Sequence, residues 1–197
     1  MGHRDDSGVT HMSERFHLER FDTPTGKMVI VTDTEHRLRA ADWEDKGDRM
    51  QRLLHQHYGR NGLDLLPAES ASLARLALEA YFEGELDAID ALLTAARGTD
   101  FQCRVWSLLR TIPPGTTLSY GQLASRLGKP AAVRAVGAAN AANPIPVVVP
   151  CHRVIGSDAS LTGFGGGLER KRWLLAHERR YARTTAPYQA SLLDAVC

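Results

Sequence analysis

The residues best suited to chemistry stand together in one stretch, Asn143-Pro144-Ile145-Pro146-Val147-Val148-Val149-Pro150-Cys151-His152-Arg153-Val154. The apolar run Val147 to Val149 reads as a short buried strand or extended segment. Pro150 ends it, and Cys151 follows with His152 beside it. A thiol delivered from a buried segment to a break in the backbone, next to an imidazole, is a candidate nucleophile, acting as thiolate. The plainer reading is that Cys151 is a small buried hydrophobe, the usual fate of a free cysteine. Adjacent side chains on a helix or strand point apart, so a water bridging Cys151 and His152 is a simpler geometry than a direct hydrogen bond. His152 would then need a carboxylate to fix its tautomer and stabilise its cation.

The elements that position this stretch are legible on both sides of it. Thr99-Asp100-Phe101-Gln102 is a capping box, and the helix behind it carries Phe101, Val105, Leu108 and Leu109. Ile112-Pro113-Pro114-Gly115 stops that helix. Ser119-Tyr120-Gly121-Gln122 is a second capping box, opening a short helix that Gly128 closes. Pro130 then starts another helix at a first-turn position, where its missing N–H does no harm. Helix, glycine turn, helix is the helix-turn-helix pattern.

The second of these helices runs from Ala131 to Ala142 with almost no long side chains. A major-groove reader needs Arg, Asn, Gln or Glu to reach base edges. Small residues such as Ala135, Gly137 and Ala138 instead let a helix backbone approach closely, which suits the narrow minor groove with little sequence readout. The alternative is an alanine-rich helix packed in the core. Arg134 is the one long side chain before Asn140.

The N-terminal half shows no constellation of chemical groups. Phe16 to Asp22, Met28 to Val31 and Arg37 to Trp43 are strand candidates, with a turn at Thr23-Pro24-Thr25-Gly26. A helix behind Asp48 carries Met50, Leu53 and Leu54; Asn61-Gly62 is a turn; Ser70 to Phe82 is a second helix, with Gly84 past its end. The expected fold is therefore α+β: a small N-terminal antiparallel sheet with helices, then a mostly helical C-terminal domain containing the helix-turn-helix. The expected division is a disordered leader over 1–15, an N-terminal domain over 16–84, a linker over 85–98, a C-terminal domain over 99–183 and a tail over 184–197.

Composition is that of an ordinary soluble globular protein, with 43% apolar residues and no apolar run approaching a membrane span. The first residues lack the apolar core of a secretory signal. Cys103, Cys151 and Cys197 sit at unrelated positions, do not make a disulfide framework, and fit a reducing cytoplasm. Cys197 is expected to be exposed. The net charge of +1 hides an asymmetry. Residues 1–100 hold 12 Lys and Arg against 19 Asp and Glu, a net of −7; residues 101–183 hold 12 against 3, a net of +9. A basic C-terminal half suggests a polyanionic partner, and a solvated basic face is the alternative.

The sequence PCHRV, preceded by NPIPVVV and followed by Gly163-Phe164-Gly165-Gly166-Gly167, resembles the O6-alkylguanine-DNA alkyltransferases, most closely the bacterial constitutive type. The resemblance runs from about Phe16 to Arg183 and is densest from Phe101 to Glu178. It implies direct, stoichiometric repair of O6-alkylguanine in double-stranded DNA, with O4-alkylthymine as a further candidate lesion. It implies no cofactor and a monomer with room for cooperative assembly on DNA. Some relatives carry a structural zinc in the N-terminal half; with no Cys before Cys103, none is expected here.

Residue by residue, the resemblance makes Cys151 the alkyl acceptor, His152 its base and Glu178 the carboxylate behind His152. Asn143 ties the recognition helix to the active-site segment, and Tyr120 donates to N3 of the departing base. Arg134 fills the gap left by an extruded base, and Ser119, Tyr120, Ala135, Gly137 and Ala138 meet DNA. Pro146, Val154, Phe164, Gly165 and Gly166 line the substrate pocket. Taken alone, Glu178 would read as a solvent-facing helix residue, Tyr120 as a phosphate contact and Arg134 as a surface cation. Phe164 stands where relatives often have Tyr, and Gly165 where some have Ser, so a hydroxyl contact to the base is lost. Three other readings compete: a non-catalytic sensor of alkylated DNA, which would lack the active Cys; a fused transcriptional regulator, which would need a Cys-rich metal module upstream; and a Cys-His hydrolase, which nothing in the flanks supports.

Overall fold

A computed structural model describes residues 14–59, 63–182 and 196–197. The expected leader (apart from Glu14 and Arg15), the Asn61-Gly62 turn and most of the tail lie outside these. Strands β1 (Glu14–Phe21), β2 (Met28–Asp33) and β3 (Leu38–Trp43) form an antiparallel meander. The β1–β2 turn is closed by paired backbone bonds between Thr23 and Gly26, with Gly26 at φ 113°. Helix α1 (Gly47–Tyr58) follows, with Lys46 at its N-cap position making no side-chain capping bond and Asp48 inside its first turn. A strand that the sequence reading leaves out, β4 (Leu63–Pro67), adds to the far side of β1 in parallel, giving the order β3-β2-β1-β4.

Strand periodicity decides what this sheet packs against. All six residues of β2 are buried. Val29 and Val31 face one side and meet Phe16, Ala40, Met50 and Leu54, so α1 covers that face. Met28 and Ile30 face the other side, where they join α2 (Leu73–Glu83) and the C-terminal half in one continuous core around Trp43, Tyr81 and Trp106. Ser72 caps α2 by accepting from the Arg75 N–H, and Gly84 ends it at φ 112°.

The segment expected as a linker is stitched to the sheet. Leu38 donates to the Leu93 carbonyl and accepts from Ala95, and Leu86, Ile89 and Ala96 are buried. The C-terminal half then runs α3 (Asp100–Arg110), β5 (Leu118–Ser119), α4 (Tyr120–Arg126), α5 (Val133–Ala141), β6 (Val154–Ile155) and α6 (Leu168–Tyr181). Both capping boxes form, Thr99 with Gln102 and Ser119 with Gln122. Gly128 sits at φ 72° between α4 and a single 3-10 turn, Pro130–Ala132, that leads into α5.

Two further expectations are corrected. Val147 to Val149 is buried as expected but is not a strand. Val147 has φ 76°, a left-handed conformation strained for a β-branched residue, and Val149 donates back to Ile145 in a tight turn. Prolines at 144, 146 and 150 remove the donors that a ladder would use. The cysteines also differ from expectation. Cys103 of α3 and Cys197 form a disulfide, although 94 residues separate them. Beside it Val196 is buried, and its carbonyl accepts from the Ala96 N–H. Sequence spacing cannot reveal such a pair, because the fold alone brings the chain end to α3.

Candidate active site and nucleic-acid interface

Cys151 opens a single 3-10 turn, Cys151–Arg153, directly after the Asn143–Pro150 turn. Asn143 holds that turn from inside: its Nδ2 donates to the Val149 carbonyl at 2.8 Å and its Oδ1 accepts from the Ile145 N–H at 2.9 Å. Its side chain also reaches the Cys151 thiol. The thiol is buried, and burial pushes its pKa above the ordinary value, against the opposing effects of Asn143, Arg49 and Lys171.

His152 is fully buried, with Nε2 2.7 Å from Glu178 Oε1. Burial pushes its pKa below the ordinary value even though Glu178 opposes this. Glu178, far from solvent-facing, is buried at the centre of a set of donors. It accepts from Tyr81 Oη at 2.8 Å, from Arg153 Nε and Nη2 at 2.8–3.1 Å, and from the Gly115 N–H at 3.1 Å. Burial alone would raise its pKa; His152 and then Arg153 hold it well below the usual carboxylate range.

These protonation states fix the tautomer. An ionised Glu178 takes the proton-bearing Nε2, which leaves Nδ1 as the lone-pair nitrogen. Nδ1 is buried and has no hydrogen-bond partner among the described residues. The resting site is thus a neutral thiol beside a neutral imidazole whose open nitrogen can take a proton and whose cation would be stabilised at once by Glu178.

Several residues of this site carry no local signal in the sequence. Arg153 lies inside PCHRV yet acts on Glu178, and it also donates to the Ile112 carbonyl. Tyr81 comes from the N-terminal half. Lys171 of α6 is fully buried, its Nζ donating to the carbonyls of Val154 and Thr162, both at 2.6 Å, and Gly163 at 3.4 Å. Burial lowers its pKa to about 8, against the influence of Cys151. It pins the loop that precedes Phe164 and occupies the Val154 carbonyl. Arg49 pairs with buried Asp42 at 2.6 Å and donates to the carbonyls of Ala141 (3.0 Å) and Asn143 (2.8 Å), joining the end of α5 to the sheet.

The predicted pocket residues pack against different partners. Phe164 is half-buried and packs edge-on against Trp43 (5.8 Å) and His152 (6.4 Å). A side chain at Gly165 would lie 2.5 Å from the Arg49 guanidinium, and one at Gly166 would lie 2.5 Å from Trp43. The absence of any side chain at Gly165 is therefore what lets the Arg49 guanidinium lie this close. Pro146 is buried within the turn.

Tyr120 stands at the start of α4, half-buried, with its ring near Gly137 and its hydroxyl near Gly163. Burial raises its pKa, and a thiolate at Cys151 would add to this, against the Thr162 and Asn140 side chains that favour its ionised form. On α5, Arg134, Ala135 and Ala138 are exposed, Gly137 is half-buried, and Val136, Ala139 and Asn140 face inward. Trp106 Nε1 anchors the helix through the Ala139 carbonyl at 2.8 Å. The outer face of α5 is thus small and smooth, with Arg134 projecting from it. The Ser119 hydroxyl is occupied by the Gln122 N–H. An open groove of about 510 Å³, lined by Ser119, Gln122, Ser125 and Arg126, runs along α4; Cys151 is not among its walls.

Comparison with known proteins places relatives around this geometry. The model described as 6-O-methylguanine DNA methyltransferase, DNA binding domain, matches residues 100–180, and that described as its ribonuclease-like domain matches residues 17–95. The methylated-DNA–protein-cysteine methyltransferase of Salmonella typhimurium is 52% identical over 160 residues, covering 81% of this chain and 94% of the relative. The O6-methylguanine methyltransferase of Mycobacterium tuberculosis has a similar structure, with TM-score 0.67 at 41% identity, covering 86% of this chain and 96% of that one. The same organism's OGT in complex with DNA is similar at TM-score 0.68 and 39% identity, over the same shares of the two chains.

Proposed function

The chain belongs to the 6-O-methylguanine DNA methyltransferase family, and on that premise we propose that it repairs DNA by moving the alkyl group of O6-alkylguanine onto its own Cys151. The observation that carries this reading is the buried His152–Glu178 pair beside Cys151, with Nδ1 of His152 left open. His152 Nδ1 takes the thiol proton through a bridging water. The thiolate attacks the alkyl carbon, an S–C bond forms, and the C–O6 bond breaks with its electron pair going to the guanine. Tyr120 supports that departure by donating to N3 of the base. The product is a thioether on Cys151. The site holds no second activated nucleophile among the described residues to cleave it, so the protein acts once.

The reacting oxygen of the lesion lies on the base-pairing edge, and Cys151 is buried, so the nucleotide must leave the stack to reach it. The smooth outer face of α5 suits the minor groove, and Arg134, exposed on that face, would occupy the space that the base vacates.

Intact-protein and peptide masses after mixing with a duplex holding one O6-methylguanine test the chemistry. One methyl on the Cys151 peptide, saturating at one per protein, is expected. Cys151→Ala should abolish transfer while keeping DNA binding; methyl arriving at Cys103 or Cys197 instead would refute the assignment. Arg134→Ala should slow repair of duplex DNA by about 10-fold or more while leaving attack on free O6-benzylguanine unchanged, since only the duplex requires extrusion. Equal loss on both substrates would remove that role.

A further inference from the structure

Cys103 and Cys197 are joined by a disulfide that the alkyl transfer does not use. Its surroundings differ from those of the nucleophile. Cys151 is 3% exposed, whereas Cys197 is exposed and Cys103, on α3, is only partly buried. An exposed disulfide can exchange with an external thiol while the protein stays folded; a buried one opens only with the fold.

The two residues are also held together by contacts other than the bond. Val196, next to Cys197, is 1% exposed and belongs to the main apolar core, and its carbonyl accepts from the Ala96 N–H at 2.8 Å. Ala96 is itself buried, and the neighbouring Ala95 N–H donates to the Leu38 carbonyl of β3. Cys103 is fixed on the other side by α3, whose capping box is formed. The two Cα atoms stand 5.8 Å apart, within bridging range. With the bond open, these contacts would keep the two thiols adjacent, so closing it needs no long search by the chain. The pair is thus accessible for opening and preset for closure.

We propose that Cys103 and Cys197 form a reversible oxidation site, closed by an organic hydroperoxide and opened by a dithiol, which tightens the alkyl-transfer half without spending Cys151. In closing, the exposed Cys197 thiolate attacks a peroxide oxygen. The O–O bond breaks, the alkoxide takes a proton and leaves as an alcohol, and Cys197 becomes a sulfenic acid. The Cys103 thiolate then attacks that sulfur, the S–S bond forms, and hydroxide leaves and is protonated to water. The two thiols lose two electrons and the hydroperoxide gains them. In opening, the dithiol attacks the exposed sulfur, Cys103 leaves as thiolate, and the second thiol of the reductant displaces Cys197.

The bond closes a ring that spans 94 residues and contains Tyr120, Arg134, Cys151, His152 and Glu178. It also lies close to the support of α5. Trp106, one turn along α3 from Cys103, holds the Ala139 carbonyl through Nε1, and a side chain at Gly98 would lie 2.6 Å from the Trp106 ring. The segment that receives Val196 therefore packs on the residue that anchors α5.

The test uses the full chain under native conditions. Fully reduced protein is mixed with equimolar cumene hydroperoxide, and peptide masses read the pairing. A Cys103–Cys197 peptide with Cys151 unchanged is expected, and Tm should rise by roughly 5–15 °C, the scale for a long closed loop in a chain of this size. Added dithiothreitol should open the bond at a rate proportional to its concentration. That rate should exceed by at least about 10-fold the trapping of Cys151 by iodoacetamide, which reports unfolding. Cys197→Ser should melt like the reduced wild type and gain nothing from the hydroperoxide. Opening no faster than the trapping of Cys151, and independent of dithiothreitol, would overturn the proposal and leave the bond a permanent staple. Oxidation of Cys151 ahead of the pair, or Cys197-linked dimers in its place, would overturn it as well. The wild-type measurements decide the matter even if Cys197→Ser fails to fold. None of them involves DNA, so failure here is distinct from failure of the proposed alkyl transfer.

Discussion

The two halves of the molecule differ in charge and in chemistry. Residues 1–100 carry a net −7 and hold none of the groups proposed to touch the alkyl transfer; residues 101–183 carry a net +9 and hold all of them. Yet the N-terminal half grips the site at four places. The Ala41 N–H of β3 donates to the Pro144 carbonyl at 2.9 Å, just ahead of the strained turn. Arg49 ties the end of α5 and Asn143 to Asp42. Trp43 backs Phe164 and the glycines behind it. Tyr81 donates to Glu178. One half supplies reactive groups and the other limits how they can move. Pre-organisation of this kind matters because a misplacement of about 1 Å can cost 100-fold in rate.

Mutations can test this division. Glu178→Gln, in the chemical half, should have the largest effect. It leaves Arg153 buried without its counter-charge, a loss of about 3–5 kcal/mol, and it removes the group that fixes the His152 tautomer, slowing transfer about 100-fold. Denaturant melts and single-turnover rates would read the two effects. Because the folded Glu178 is held below its ordinary value of 4.5, its stabilisation is present above about pH 4.5 and is lost as pH falls through the lower folded value. Acid unfolding of Glu178→Gln should be correspondingly less steep than that of the wild type; identical acid profiles would mean that this pair does not govern acid stability.

Arg49→Ala, in the supporting half, comes next. It strands Asp42, whose pKa burial already raises, and should cost about 3 kcal/mol, less where Asp42 takes up a proton. The comparison predicts slower transfer as well, since two carbonyls at the end of α5 lose their anchor. Lost stability with an unchanged rate would confine Arg49 to the fold. Tyr81→Phe is the smallest perturbation. It removes one of several donors to Glu178 and should cost about 1 kcal/mol with a rate change under about 5-fold. A larger rate effect would move Tyr81 from support into the proton-handling group.

The same contrast explains what could be read from the sequence. Both capping boxes are spelled within four residues each, and both form as expected. The juxtaposition of Cys151 and His152, and the motif that picks out Glu178, also lie in local spelling. Arg49, Tyr81 and Lys171 do not. Each is an ordinary helix residue whose meaning comes from partners elsewhere in the chain: the Asn143 carbonyl for Arg49, Glu178 for Tyr81, and the Val154 and Thr162 carbonyls for Lys171. The apolar run Val147 to Val149 alone suggests a strand or extended segment, but the surrounding prolines and the Asn143 clamp bend it into a turn. Strand β4 is five residues long and ends in Pro67, too short for periodicity to announce.

The disulfide alters how the protein can be assayed. With Cys103 and Cys197 joined, Cys151 is the sole free thiol, and it is shielded until the chain unfolds. Denaturing the protein without reductant and counting thiols would therefore count unspent molecules directly. An oxidised sample should read one thiol per chain before exposure to alkylated DNA and approach zero as repair consumes it. The same molecule thus carries a record of its own history, legible to an ordinary colour reagent.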